Sequence, residues 1–198
     1  MLGKLFAPAL AIVLGVVVMI GWLLHIPEIV QVFPGFVPMQ FNTALCFALS
    51  GASVLAALYY NNRDAAFFIS LIPGLIGTLT MFQYSVGVDL HIDEIFITHL
   101  ITDNTPHPGR MAPNTALCFV LVMLCLIMRD MRKTFFALVY FILFLSSLSV
   151  TGYLTGVPHL YFWGNEFTAM AIHTSVGFFL LGLHLLIYCK GENVGKTH

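Results

Sequence analysis

The sequence predicts an all-α integral membrane protein of six transmembrane helices, arranged as three repeated helix pairs with both termini in the cytoplasm. Three observations carry that expectation: a composition too apolar for water, six apolar stretches of spanning length, and a motif that returns three times. Hydrophobic residues are 59% of the 198 and charged residues only 9%, with a mean hydropathy of +0.93. A soluble domain carries about 25% charged residues. The stretches lie at 5–25, 40–60, 65–87, 111–128, 134–156 and 169–189. Each is near the ~20 residues a helix needs to cross a hydrocarbon core. Lipid offers the backbone no hydrogen-bonding partner, so spanning segments are helices or closed barrels, and continuous apolar runs are not the alternating pattern of a barrel strand.

The first stretch has Lys4 and an apolar run, as a signal peptide does, but no small-residue cleavage site follows. It ends in Trp22-Leu-Leu-His25, an aromatic interface anchor. On the second, Ala44, Ala48, Gly51 and Ala52 form a narrow face suited to close helix approach. On the third, Pro73-Gly74 predicts a break near the middle, and Thr78, Thr80 and Gln83 predict a polar strip facing other helices. The fifth carries a similar strip at Ser146, Ser147, Ser149 and Thr151. On the sixth, His173 and His184 are eleven residues apart, about three turns, and share a face.

Orientation follows from the basic residues. Lys4, Arg63, Arg129, Arg132, Lys133, Lys190 and Lys196 fall on one side of this topology and only Arg110 on the other, which places both ends inside. Glu28, Asp89, Asp93, Glu94, Asp103 and Glu166 fall in the outer loops. The net charge of −1 speaks against nucleic acid as a partner. Cys46, Cys118, Cys125 and Cys189 all lie in the apolar stretches, where cysteine behaves as a small apolar residue rather than half of a disulfide framework.

The motif reads MQFNTALCFAL from Met39, MAPNTALCFVL from Met111 and MAIHTSVGFFL from Met170. The odd helices repeat as well: Trp22, Tyr84 and Tyr153 are each followed three residues on by a break, at His25, Gly87 and Gly156. From aromatic to Met the spacing is 17, 27 and 17 residues. The units are therefore 5–60, 65–128 and 134–189, followed by a cytoplasmic tail at 190–198. The middle unit carries ten extra residues within 90–110, which makes its outer loop the specialised one.

Asn42, Asn114 and His173 occupy equivalent depths just inside the membrane, followed by Thr43, Thr115 and Thr174. Polar groups at that depth are costly unless they face protein. Packed around a rough threefold axis they would converge beside three outward-pointing helix N-termini, with Arg110 nearby. That arrangement suits an anion, a carbonyl oxygen or a quinone-like head group. The alternative is that the Asn-Thr pairs only cap and join helices.

Five histidines fall in or beside outer loops. Asp89, His91, Asp93 and Glu94 with His99 and His107 are candidate zinc or copper ligands, although their spacing matches no strong metal pattern. Haem would require His173 and a facing ligand, for which His25 has the right depth. No nucleophile with a base, phosphate loop or paired membrane carboxylates is present, so no enzyme chemistry is expected.

The segments Pro38-Met39-Gln40-Phe41-Asn42-Thr43-Ala44-Leu45, Tyr84-x-x-Gly87-x-Asp89-Leu90-x-Ile92-Asp93 and His107-Pro108-Gly109-Arg110-Met111-Ala112-Pro113-Asn114-Thr115 resemble the N-terminal multi-helix region of bacterial membrane sensor proteins. In that family the region precedes PAS, histidine-kinase or diguanylate-cyclase output domains. The resemblance implies a sensory or accessory module of the bacterial inner membrane, acting through another membrane or signalling protein. It names no ligand. Because the 198 residues end just past the sixth helix, the expectation is a free-standing relative or a sensor region without its output. A structural subunit of a larger complex and a haem- or metal-binding redox protein are the competing expectations.

Overall fold

A computed structural model describes residues 5–99 and 105–194, with side chains described as far as Ile187. Lys4, Asp103 and Lys196, and the side chains of Cys189 and Lys190, lie outside the described part. Among the described residues there are seven α-helices: α1 Phe6–Leu23, α2 Pro27–Gln31, α3 Phe41–Leu58, α4 Arg63–Val86, α5 Pro113–Ile127, α6 Arg132–Thr155 and α7 Ile172–Val194. Among the described residues there is no strand. Every expected stretch is helical, and α2 and the 3-10 turn Pro158–Leu160 are additions within the longer loops. Both open on proline, whose missing N–H and fixed φ suit a first helical position.

α1, α3, α4 and α6 are long and apolar enough to cross a membrane, whereas α5 and the apolar part of α7, Ile172–Ile187, are shorter. Their exposed faces are apolar too. Val13, Val17 and Ile20 on α1, Phe68 and Leu75 on α4, Phe144 on α6 and Ile187 on α7 all point outward. So large an apolar surface is not stable against water. Together these features mark a membrane protein.

α1 packs along α3, α4 along α5 and α6 along α7, and α3 lies against α4 as closely as α6 does against α7. α3 presents no exposed residue and α5 only Ile127, so these two lie inside, with α1, α4, α6 and one face of α7 around them. Short turns at 59–62 and 128–131 mark one end of the bundle, and the three long loops mark the other. At the short-turn end Arg63 forms a two-pronged ion pair with Asp130, at 2.5 and 2.9 Å. Arg129 there donates to the Ala57 carbonyl at the end of α3.

Equivalent positions of the three motif copies meet in the core. Phe47, Phe119 and Phe178 each lie eight residues after the motif methionine, and their rings meet one another at 4.6–5.2 Å between centroids, fully buried. Tilted and edge-on contacts of this kind match the ring quadrupoles. Within pairs, small residues let backbones touch. A methyl group on Gly77 would fall 2.6 Å from the Ala116 carbonyl oxygen, and one on Gly15 would collide with that of Ala44. The third pair has serine at the same places: Ser146 and Ser175 are buried, and Ser149 Oγ lies 2.7 Å from Ser175 Oγ. The expected small face of α3 is therefore used, with Gly51 seated against Pro8 and Ile12 of α1.

Two expectations are corrected. α4 runs unbroken through Pro73, which is buried within it, because one lost backbone bond does not outweigh packing along both flanks of a 24-residue helix. The polar strips are also only half internal. Thr80, Gln83, Ser146 and Ser149 are buried, but Thr78 and Thr151 are exposed. Thr78 instead returns its hydroxyl to the Gly74 carbonyl of its own helix, at 2.8 Å, which satisfies it without a neighbour.

Candidate functional site at the long-loop end

The aromatic near the end of α1, α4 and α6 ties each of these helices to the start of the long helix that follows it. Trp22 Nε1 donates to the Met39 carbonyl at 2.8 Å, Tyr84 Oη to that of Met111 at 3.1 Å, and Tyr153 Oη to that of Met170 at 2.8 Å. Each methionine stands two residues before its helix and is buried, so its carbonyl needs an internal donor. The turn following each aromatic uses a positive φ three residues on: 56° at His25, 71° at Gly87 and 69° at Gly156. Glycine adopts this region freely, and His25 is the departure.

The same aromatics reach the next unit in a ring. Trp22 meets His99 at 5.3 Å, Tyr84 meets Phe167 at 5.3 Å, and Tyr153 meets Phe36 at 5.5 Å. Unit one thus touches the loop of unit two, two that of three, and three that of one. Where the loops come together, Phe36, Pro38, Thr105, Phe162, Asn165 and Phe167 are among the residues lining a cavity of about 430 Å³.

The middle loop is held by a buried ionic clasp. Arg110 and Asp93 have side chains only 6% and 8% exposed, with Arg110 Nε donating to Asp93 Oδ2 at 2.7 Å. The residue before each aromatic is Gly21, Gln83 or Gly152. The two glycines are covered by their loops, Gly21 by Ile29 and Gly152 by Leu160. Gln83 instead donates to Asp93 and accepts from Leu90 N at 2.7 Å and Arg110 Nη2 at 3.3 Å. The guanidinium also sits over the Tyr84 ring, a favourable placement for a cation. Gln83 was expected only to face other helices; its exchange for glycine in the repeat was the available signal that it serves the inserted loop.

The structure distributes the polar triplet rather than joining it. Asn42 Nδ2 donates to the Gly109 carbonyl at 3.0 Å and its Oδ1 accepts from Thr43, so this side chain ties α3 to the inserted loop. Asn114 Oδ1 takes the N–H of Thr115 at 3.0 Å. Thr174 is buried beside His173 in sequence. No hydrogen bond links Asn42, Asn114 and His173 to one another, and Arg110 is committed to its clasp. His173 differs from the two asparagines: neither ring nitrogen has a hydrogen-bond partner. Its side chain borders a groove of about 340 Å³ between α1 and α7, lined also by Leu10, Leu14, Val32, Val176 and Leu180.

The loop histidines are placed apart. His91 is exposed beside Asp89, His99 Nδ1 lies 3.2 Å from Gln40 Oε1, and His107 Nε2 lies 3.2 Å from the Glu166 carbonyl. Asp89, His91, Asp93, Glu94, His107 and Arg110 do border one cleft of about 330 Å³. Among the described residues no three His, Cys, Asp or Glu side chains form a group able to hold a metal. His25 is exposed in the turn after α1 and does not line the groove at His173. Cys46 and Cys118 are buried as free thiols, and Cys125 is buried too.

Comparison of the chain with family models, curated proteins and solved structures returns no match.

Proposed function

We propose that this chain is a non-enzymatic sensory or accessory module of the bacterial inner membrane, crossing it six times with both ends inside and acting through a partner protein. In this reading it binds a small lipid-soluble ligand near the outer, long-loop end. The observation that carries it is His173: alone of the three equivalent polar residues, it keeps an unsatisfied side chain at the wall of an apolar groove. A buried polar group without a partner costs about 1–3 kcal/mol. A ligand oxygen would remove that cost.

The six-span topology draws support from the six apolar helices alternating between the two ends and from the basic residues at the short-turn end. Single cysteines at His91 and Asp64, in a chain freed of its own cysteines, give the test. In intact cells a membrane-impermeant thiol reagent should label the first and spare the second; the reverse pattern would overturn the orientation.

For the ligand, native mass spectrometry of gently extracted protein should show a bound small molecule in the parent and its loss in His173→Leu, with the helical spectrum unchanged. Retention of the same mass by His173→Leu would sink the role of this residue. A second reading, a structural subunit, is favoured by Asn42 and Asn114, whose hydrogen bonds stay within the chain. It predicts co-purification with other subunits in fixed stoichiometry and no bound small molecule.

A further inference from the structure

We infer that the groove between α1 and α7 takes a neutral amphiphile from the bilayer: a hydrocarbon chain ending in a carbonyl or hydroxyl oxygen, as in a prenylated quinone or quinol, with that oxygen bonded to His173. This identification of the ligand class rests on the ligand-binding reading above.

The groove lies at the seam where the ring of helices closes. The other two seams, α3 with α4 and α5 with α6, are each joined by a short turn, whereas no turn connects α1 to α7. Leu10 and Val176 border the groove and are both turned to the apolar exterior, so it is open sideways to lipid. From Ile172 to Leu180 its α7 wall is about 12 Å long at the helical rise of 1.5 Å per residue. That shape suits a chain better than a compact solute.

The lining selects the head. Besides His173 it is made of alanine, leucine, valine, isoleucine and glycine, with no lysine, arginine, aspartate or glutamate. A carboxylate or phosphate brought here would lose its hydration with no counter-charge to replace it. A neutral imidazole offers one N–H donor and one nitrogen acceptor, which match a carbonyl or a hydroxyl. Both nitrogens are shut from water in the present conformation. The head oxygen therefore reaches one of them after a turn of the ring about χ2, a soft torsion. A bulk phospholipid could also lay a tail in the groove and offer an ester carbonyl to the histidine, so the probes must bind against a large excess of phosphatidylcholine.

The test uses the full chain in zwitterionic phosphatidylcholine nanodiscs. The probes are a benzoquinone with a decyl tail, the same benzoquinone without the tail, and decanoate, with occupancy read by native mass spectrometry. The tailed quinone should bind saturably, one per chain, and both other probes at least tenfold more weakly. Val176→Trp, which fills the open side, and His173→Phe, which removes no existing hydrogen bond, should each weaken it at least tenfold. Val13→Trp, on the exterior of α1 and outside the groove, should leave it unchanged and so controls for bilayer partitioning. Equal binding by His173→Phe, by the tailless quinone or by decanoate would overturn the assignment. If the tailed quinone does not bind while natively extracted protein carries another molecule lost in His173→Leu, the ligand class falls and the broader reading stands. If neither is bound, both fall.

Discussion

Tyr153 donates its hydroxyl to the carbonyl of Met170, seventeen residues further along, at 2.8 Å. Trp22 makes the same bond to Met39 across the same number of residues, and Tyr84 makes it to Met111 across the longer loop of the middle unit. A side-chain donor on one helix thereby satisfies a backbone acceptor at the entrance of the next, which fixes where each loop returns. The ring stacks onto its neighbour's loop follow from that placement.

Tyr153→Phe should therefore lower stability by about 1–3 kcal/mol, the cost of leaving a buried carbonyl unsatisfied. Tyr84→Phe should cost more, because its hydroxyl also meets Thr168 Oγ1 at 3.1 Å. Thermal unfolding in a mild detergent measures both. Equal melting temperatures for parent and variants would show that water or detergent replaces these donors.

The glycine contacts make a sharper prediction. Gly77→Val places its side chain against the Ala116 backbone, which cannot move without parting α4 from α5. Loss of the folded protein is expected, read as aggregation on size exclusion. Gly35→Ala serves as the contrast: it has positive φ but open space around it, so the cost should stay near 1 kcal/mol.

Charge pairs at the two ends should behave differently. Asp93→Asn removes the nearer and buried carboxylate from Arg110 and leaves only the half-exposed Asp89, at 3.5 Å, so the cost should be about 3 kcal/mol, the lower end for a broken buried pair. Arg63→Gln breaks a pair whose side chains are 56% and 69% exposed, worth no more than about 1 kcal/mol. Chemical denaturation distinguishes these values, and a comparable loss from both would contradict the burial argument.

His25 stands where the other units use glycine. His25→Gly should raise stability by about 1 kcal/mol, the strain of a positive φ being relieved. Were His25 an axial ligand, the same change would instead strip pigment from the protein, so absorbance and melting curves together decide between these roles.

How much of this was legible beforehand depends on the range of the interactions. All six apolar runs are helical, four of them long and apolar enough to cross a membrane, and their observed ends fall within about five residues of the expected ones. The methionine motif and the aromatic before each break mark positions that make matching contacts: Trp22, Tyr84 and Tyr153 each donate to the carbonyl of the motif methionine that follows. Gly15 and Gly77, each seven residues before its aromatic, could have been read the same way; Ser146 in the third unit obscured them.

What the residues did not announce was where equivalent positions part company. Asn42, Asn114 and His173 look interchangeable along the chain, yet the inserted loop supplies Gly109 to the first alone, Asn114 turns to its own backbone, and the seam opens beside the third. Arg110 appeared free to meet a ligand until Gln83 and Asp93 were seen to enclose it. Membrane helices and their repeat are written locally, in hydrophobicity and length. The partner of each polar group is decided by which loop folds over it, and only the tertiary structure contains that.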